Sequence, residues 1–246
     1  MLGEVLARAL GLEQRSSAEE LMDTVPLSAP VVEETLRFLE LTNRRFGGTA
    51  IVLRYLRRWR ANWPGDRAIT VLDVGTGAAD IPRALVSFAR SAGVEMRVTG
   101  IDVAPDIAAV ARERVRDVSE ITIEQDDLDA VAASGRRFDY VTASLFLHHV
   151  PPSRVGDALL AIDRLSARGV IVGDLRRAPV ALAAVGFLSA VAGNAVVRHD
   201  GPLSVRRAFT VHELARLAAG LGLSYLQARQ ERPFRLSLAG EKPRRA

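Results

Sequence analysis

The stretch VLDVGTGAAD, residues 71–80, decides the fold of this chain. Residues 71–74 are apolar except for Asp73, and Gly75 and Gly77 follow them in a pattern typical of a backbone turn. Glycines at the end of a strand let the backbone turn sharply and approach a ligand closely, which a Cβ would prevent. The stretch therefore predicts a strand, a glycine turn and a helix, with a ligand site at the turn.

Short apolar runs continue after this turn and alternate with helical patterns. The predicted strands are ITVLDV (69–74), MRVTGID (96–102), ITIEQ (121–125), FDYVTASLFL (138–147) and GVIVGD (169–174). Strands that alternate with helices over short links pair in parallel. SYLQARQ (224–230) and FRLSLAGEK (234–242) predict a closing antiparallel hairpin. We therefore expect an α/β fold with a doubly wound, mostly parallel sheet of seven strands.

The residues before the sheet predict helices. Ser17 and Glu20 have the spacing of a capping box, and Ser28 followed by Pro30 is a second helix start. FGGTA (46–50) predicts a break in this second helix, which resumes with AIVLRYLRRW. We expect an N-terminal helical cap over residues 1–65 and a ligand-binding domain over residues 66–246.

A long apolar segment, APVALAAVGFLSAVAGNAVV (178–197), interrupts the pattern of strands. Its length approaches that of a membrane span, but Asn194 and several glycines and prolines favour a lid or a core helix. We expect an apolar lid insertion over residues 176–210 and no stable membrane insertion. A lid of this kind favours a hydrophobic small-molecule acceptor.

Composition narrows the classes of function. The chain has no cysteine, so disulfides and thiolate metal sites are excluded, and a reducing cytoplasm fits best. Its start, MLGEVLARALGLEQ, lacks the pattern of a signal peptide. The net charge is only +4, with acids interspersed among the arginines, which does not favour a nucleic-acid partner. No cluster with metal-ligand spacing is evident, and we predict no metal site.

Acidic residues at the predicted strand ends indicate the ligand. Asp80 replaces the third glycine of a dinucleotide fingerprint, and a carboxylate there repels a diphosphate but suits a cation. Asp102 ends the second strand, where a carboxylate can accept both hydroxyls of a ribose, although it could also be a helix cap. Asp126 and Asp127 follow the third strand, where an adenine amino group could bind. These positions predict a pocket for an adenosine joined to a positively charged group.

The run from Val71 to Asp174 resembles class I S-adenosylmethionine-dependent methyltransferases. The motifs that carry the resemblance are VLDVGTGAAD, VTGIDVAP, IEQDDL, FDYVTASLFLHHV and GVIVGDL. The resemblance implies that the glycine turn lines the methionine part of the cofactor, that Asp102 holds the ribose, and that Asp126 or Asp127 meets the adenine. The cofactor residues it implies are Asp73, Gly75, Thr76, Gly77, Asp80, Asp102, Val103, Asp126, Asp127 and Ser144.

Two adjacent histidines in LFLHHVPP (145–152) raise the question of catalysis. A phenol has a pKa near ~10 and an imidazole near ~6.5, so a positioned histidine can take the phenol's proton during methyl transfer. The stretch resembles the LHDW segment of small-molecule O-methyltransferases, which implies that His148 is the base. His149 is a second candidate, and both histidines could instead be structural. His199 and Arg176 are candidates for the substrate side of the pocket.

ELMDTVPLS and LELTNRRFGGTAIVLRYL resemble the leader of bacterial methyltransferases that accompany polyketide synthases making phenolic lipids. This implies O-methylation of a hydrophobic phenol or pyrone. C-methylation of a quinone precursor and non-catalytic binding of S-adenosylmethionine are the alternatives. The sequence also allows a homodimer.

Overall fold

A computed structural model of the chain describes residues 2–192 and 194–243. Within them lies a sheet of seven strands in the order β3-β2-β1-β4-β5-β7-β6. The strands are β1 (Ile69–Val74), β2 (Met96–Asp102), β3 (Ile121–Gln125), β4 (Phe138–Ser144), β5 (Ser166–Leu175), β6 (Gln227–Glu231) and β7 (Arg235–Glu241). Strands β1 to β5 pair in parallel, whereas β7 pairs antiparallel with both β5 and β6. The predicted doubly wound sheet and its antiparallel hairpin are confirmed.

Helices cover both faces of the sheet. Four precede it, α1 (Leu2–Ala9), α2 (Leu21–Thr24), α3 (Ala29–Arg45) and α4 (Gly48–Trp59), and four link the parallel strands, α5 (Asp80–Ala92), α6 (Pro105–Val115), α7 (Leu128–Ala133) and α8 (Val155–Leu165). Three more, α9 (Pro179–Ala192), α10 (Ala195–Arg207) and α11 (Val211–Gly220), lie between β5 and β6. Alternate residues of β1 face opposite sides, so that Val71 joins the core under α4, α5 and α6, while Leu72 joins the core under α8 and α11.

The N-terminal helices depart in part from the sequence prediction. Helix α3 starts after Ser28, and the chain breaks before Gly48, as predicted. The predicted capping box at Ser17 is wrong: the short helix α2 begins at Leu21, and its preceding residue, Glu20, makes no capping bond through its side chain. The carboxylate of Asp200 instead accepts the N–H groups of Leu21 and Met22, at 2.8 and 3.0 Å. Because a residue of α10 supplies this cap, local sequence does not reveal it.

The apolar segment 178–197 forms two helices instead of one. Asn194 ends the apolar run and caps α10 by accepting the N–H of Val197 at 2.9 Å. Ala181 and Val185 of α9 are buried in a core with Phe234 and residues of α10. In the part of the chain that is described, no helix is both long and apolar enough to cross a membrane.

Candidate active site

The glycine turn between β1 and α5 is held in its shape from within. Gly75 and Gly77 have φ values of +64° and +54°, and a Cβ at Gly75 would lie 2.9 Å from the ring of Phe146. The buried carboxylate of Asp73 accepts the hydroxyls of Thr76 at 2.9 Å and Thr142 at 2.6 Å. Asp73 therefore fixes the turn to the neighbouring strand β4, a role that its predicted place beside the cofactor did not reveal.

Three carboxylates surround this turn and favour a cationic ligand. Burial raises the pKa of Asp73 to about 7, and the negative charges of Asp80 and Asp102 add to the rise. Burial also raises the pKa of Asp80, although Asn43 donates a hydrogen bond to it at 3.1 Å, and the pKa of Asp102. A sulfonium or ammonium group placed among these acids would relieve their repulsion and their desolvation. The turn therefore fits the charged end of S-adenosylmethionine.

Asp102 and the acids after β3 are placed for the nucleoside end. The Asp102 carboxylate accepts the N–H groups of Gly77 at 3.0 Å and Ala104 at 3.2 Å, which orients it and leaves further lone pairs for a ribose. Asp127 caps α7 by accepting the N–H of Ala130 at 2.8 Å. Asp126 has no such helix to cap, so of the two it is the better candidate for the adenine.

All ten predicted cofactor residues line one cavity of about 830 Å³. Ser144, at the end of β4, has a buried hydroxyl oxygen with no hydrogen-bond partner among the described residues, so it is free to meet a ligand. Val103 is 69% exposed at the rim. A cavity of this size is typical of small-molecule sites.

Strand β4 ends three residues earlier than the predicted 138–147, and the two histidines lie in the turn that follows it. The strand ends at Ser144, and Leu145 turns the chain away with a φ of +55°. The N–H of His149 then donates to the carbonyl of Phe146 at 3.0 Å. This turn places both imidazoles in the wall of the cavity that holds the glycine turn.

His148 forms a dyad with Asp174 of β5. Its Nδ1 lies 2.6 Å from Asp174 Oδ1, and its backbone N–H donates to Oδ2 at 3.1 Å. Burial would raise the pKa of Asp174, but its contacts with His148 and the N–H of Leu175 lower it. The carboxylate of Asp174 accepts a hydrogen bond from Nδ1–H of His148, and in this tautomer Nε2 carries the lone pair. This tautomer is the one that a general base needs.

His149 has a different environment. Its Nδ1 lies 2.9 Å from Asp23 Oδ2 and 3.9 Å from Glu20 Oε2. Burial opposes its charge, but the hydrogen bond to Asp23 and the charge of Glu20 raise the pKa of His149 to about 9. His149 is therefore protonated at neutral pH, which favours His148 as the base.

Residues far away in the sequence complete this end of the cavity. Glu20 and Asp23 come from the N-terminal segment, and Arg207 of α10 donates to the carbonyls of His148 at 2.9 Å and His149 at 2.8 Å. The sequence does not reveal this role for any of the three, because the only local signal is an acidic helix start at 17–23. Ligand atoms of Glu20, His148 and His149 lie within 4.8 Å of one another, a spacing that a metal ion could also use. The absence of a metal site stays a prediction.

The remaining candidates lie elsewhere. Arg176 donates to Gln230 at 3.0 Å, and His199, whose side chain is 51% exposed, lies 2.7 Å from Asp200. Neither lines the cavity. Of the described residues in 176–210, only Arg207 lines the cavity. The apolar segment therefore packs as core helices and does not cover the end of the cavity where His148 and His149 lie.

Comparisons with known proteins agree with this geometry. Residues 71–169 match the family described as a methyltransferase domain. A comparison with curated proteins finds no match. Among solved structures, the plantazolicin methyltransferase BpumL in complex with SAH shares 11% identity, with 88% of this chain and 95% of that chain covered and a TM-score of 0.63.

Two further structures have the same fold at similarly low identity. The magnesium protoporphyrin IX methyltransferase ChlM from Synechocystis PCC 6803 with bound SAH shares 15% identity over 80% of this chain and 84% of that chain, at a TM-score of 0.55. The CurJ carbon methyltransferase shares 14% identity over 78% of this chain and 53% of that chain, at a TM-score of 0.59. The chain therefore carries a methyltransferase domain over residues 71–169, on this fold and around a cavity that suits S-adenosylmethionine.

Proposed function

We propose that this methyltransferase O-methylates a hydroxyl group of a small phenolic or pyrone-type acceptor. The observation that carries the proposal is the His148–Asp174 dyad, which opens into the same cavity as the glycine turn. Bound S-adenosylmethionine supplies an activated methyl group, whose bond to sulfur breaks, with its electron pair going to sulfur, as the bond to the acceptor oxygen forms. Alignment and removal of the hydroxyl proton are then what the protein must provide.

The chain's own residues divide this work between the two ends of the cavity. Asp102 orients the nucleoside, and the acids around the glycine turn hold the cationic end. His148 takes the hydroxyl proton at Nε2, while Asp174 stabilises the imidazolium that results. No residue has to form a covalent bond with the acceptor.

The walls of the cavity support a hydrophobic acceptor. Apolar side chains from the N-terminal segment and from the turn after β4 line it, among them Met22, Leu39, Val150, Pro151 and Pro152. Such walls take up a ring or alkyl group, and the histidines at the same end receive its hydroxyl. Proteins with similar folds include plantazolicin methyltransferases and the CMeT domain of the citrinin polyketide synthase.

C-methylation is the second candidate, because CurJ is a carbon methyltransferase of the same fold. A carbon nucleophile on an electron-rich ring also loses a proton, so His148 alone does not decide between the two reactions. The product decides: mass spectrometry and NMR locate the new methyl group on oxygen or on carbon.

The test is transfer of labelled methyl from S-adenosylmethionine to a panel of alkylphenols, alkylcatechols, hydroxypyrones and quinone precursors. We expect an O-methyl product from one class of ring hydroxyl. A C-methyl product would replace the proposal with the second candidate. Binding of S-adenosylhomocysteine without transfer to any acceptor would instead support a binding protein.

A further inference from the structure

His149 stands beside the proposed base but is held differently. The two imidazole rings are 4.2 Å apart between centroids, and each has its Nδ1 against a carboxylate. Among the described residues, neither Nε2 has a hydrogen-bond partner, and both rings line the cavity. This end of the cavity therefore has two ring nitrogens without a hydrogen-bond partner in the described chain, of which Nε2 of His148 lies 3.9 Å from Oε1 of Glu20.

Glu20 lies beside both rings, whereas Asp23 contacts His149 directly. The carboxylate of Glu20 is 3% exposed, and its Oε1 has no hydrogen-bond partner within the described chain. Its neighbours are Arg207, with Nε at 3.6 Å from Oε1, and the two histidines, with Nε2 of His148 at 3.9 Å from Oε1 and Nδ1 of His149 at 3.9 Å from Oε2. His149 has the direct hydrogen bond to Asp23 in addition to this carboxylate, and the two acids together favour its protonated form.

Charged groups of both signs face the histidine pair. The carboxylates are Glu20 and Asp23 from the N-terminal segment, Asp102 from β2 and Asp174 from β5, while the cations are Arg15, Arg207 and the protonated His149. The carboxylates nearest to His149 favour its protonated form.

We propose that His149 is a second catalytic residue, which donates a hydrogen bond from Nε2 to an oxygen of the acceptor that lies beside the hydroxyl deprotonated by His148. Nδ1–H of His149 is already used by Asp23, so Nε2–H is the donor left for the ligand. This inference rests on the proposed O-methylation and refines its substrate: a ring hydroxyl accompanied by a second oxygen on the same ring, as in a catechol or a hydroxypyrone.

The second oxygen gives His149 a function in the reaction. As His148 removes the proton from a hydroxypyrone, negative charge spreads from the reacting oxygen through the ring to the carbonyl oxygen. In a catechol the charge stays on the reacting oxygen and the ring carbons, and the second oxygen is a neighbouring hydroxyl that accepts the hydrogen bond and aligns the ring. A cationic donor fixed beside that oxygen stabilises the transition state without reorganisation, as an oxyanion-binding group does. A simple phenol would leave this donor without a partner and would react more slowly.

The test compares a 4-alkylcatechol with the matching 4-alkylphenol, as kcat/KM for O-methylation. We expect the wild-type protein to prefer the catechol by at least about tenfold, and His149→Gln to reduce that ratio to near one. Asp23→Asn, which leaves the imidazole in place but weakens its charge, is the second variant and should reduce the ratio in the same direction. Glu113→Gln, an acid-to-amide change at an exposed residue that pairs with Arg116 and lies outside the cavity, is the control and should keep the wild-type ratio.

Two results would overturn the role of His149. One is an equal kcat/KM for catechol and phenol in the wild-type protein, or a ratio that His149→Gln leaves unchanged. The other is loss of activity in a chelator with recovery in a divalent metal salt, because His149 would then be a ligand and not a donor. The proposed O-methylation fails separately, if neither compound is methylated on oxygen by protein that still binds S-adenosylhomocysteine.

Discussion

At the scale of single residues, the site is organised by carboxylates that are oriented before any ligand binds. Asp102 receives two backbone N–H groups, and Asp174 receives the backbone and ring N–H groups of His148. A preoriented carboxylate loses little side-chain entropy when a ligand arrives. The chemistry therefore depends on individual carboxylates, whose removal gives separable effects.

Replacing Asp102 by alanine should weaken binding of S-adenosylhomocysteine by more than about tenfold, because hydrogen bonds from the ribose to a charged group are lost. Calorimetric titration measures the change. Asp127→Ala is the matched control: it removes a carboxylate from the same cavity, but one that caps α7, so it should lower stability by about 1 kcal/mol with little effect on affinity. An unchanged affinity in Asp102→Ala would remove Asp102 from the ribose site.

Replacing His148 by glutamine should reduce kcat by about 10²-fold or more while affinity for S-adenosylhomocysteine stays within about twofold, because a general base is lost and the cofactor end is untouched. Single-turnover kinetics and calorimetry give the two quantities. Asp174→Asn should also slow turnover, since an amide no longer holds the required tautomer. Near-normal turnover in His148→Gln would leave this histidine as a structural residue.

At the scale of elements, one guanidinium joins three segments that are distant in the sequence. Arg207, at the end of α10, donates to the carbonyl of Ala18 as well as to those of His148 and His149. The N-terminal segment, the turn after β4 and α10 thus meet at a single buried side chain. The position of the histidines relative to Glu20 depends on this junction.

Arg207→Gln should lower the free energy of unfolding by about 2–4 kcal/mol, because several buried carbonyls lose a charged donor and Glu20 loses a counter-charge. Urea unfolding followed by circular dichroism measures it. Arg206→Gln is the neighbouring control; Arg206 donates to the carbonyl of Leu10 nearer the surface, and the change should stay within about 0.5 kcal/mol. Equal losses in the two variants would contradict the junction.

At the scale of the whole molecule, the sheet and its flanking helices form the end of the cavity at the glycine turn. The N-terminal segment completes the other end, beside His148 and His149. The ion pair between Asp23 and His149 connects the two parts. Its strength depends on pH, because His149 has a pKa of about 9 in the folded protein and an ordinary value near ~6.5 when unfolded.

The folded protein binds the His149 proton more tightly than the unfolded chain does. The stabilisation is therefore complete below pH ~6.5 and is lost as the pH rises through about 9. The difference in unfolding free energy between the wild-type protein and His149→Gln should shrink by about 1–2 kcal/mol from pH ~6.5 to ~9.5. Urea unfolding at a series of pH values measures it, and a difference that does not change with pH would show that the ion pair adds no stability.

The sequence by itself determined the fold and the cofactor end. Apolar runs and glycine turns are local signals, and the carboxyl ends of parallel strands meet at one edge of a sheet, so Asp73 and Asp102 could be placed together without coordinates. The strand bounds of β1, β2 and β3 were predicted to the residue. His148 followed from its position just after the fourth strand.

Only the tertiary structure decided the acceptor end. Glu20 and Asp23 lie in a segment whose local pattern indicates a helix start, and nothing in that pattern shows that their carboxylates turn towards two histidines more than a hundred residues later. Asp200 and Arg207 act across similar separations in the sequence. The physical reason is that buried charges pair by proximity in the folded chain, which gives two neighbouring histidines different carboxylate partners.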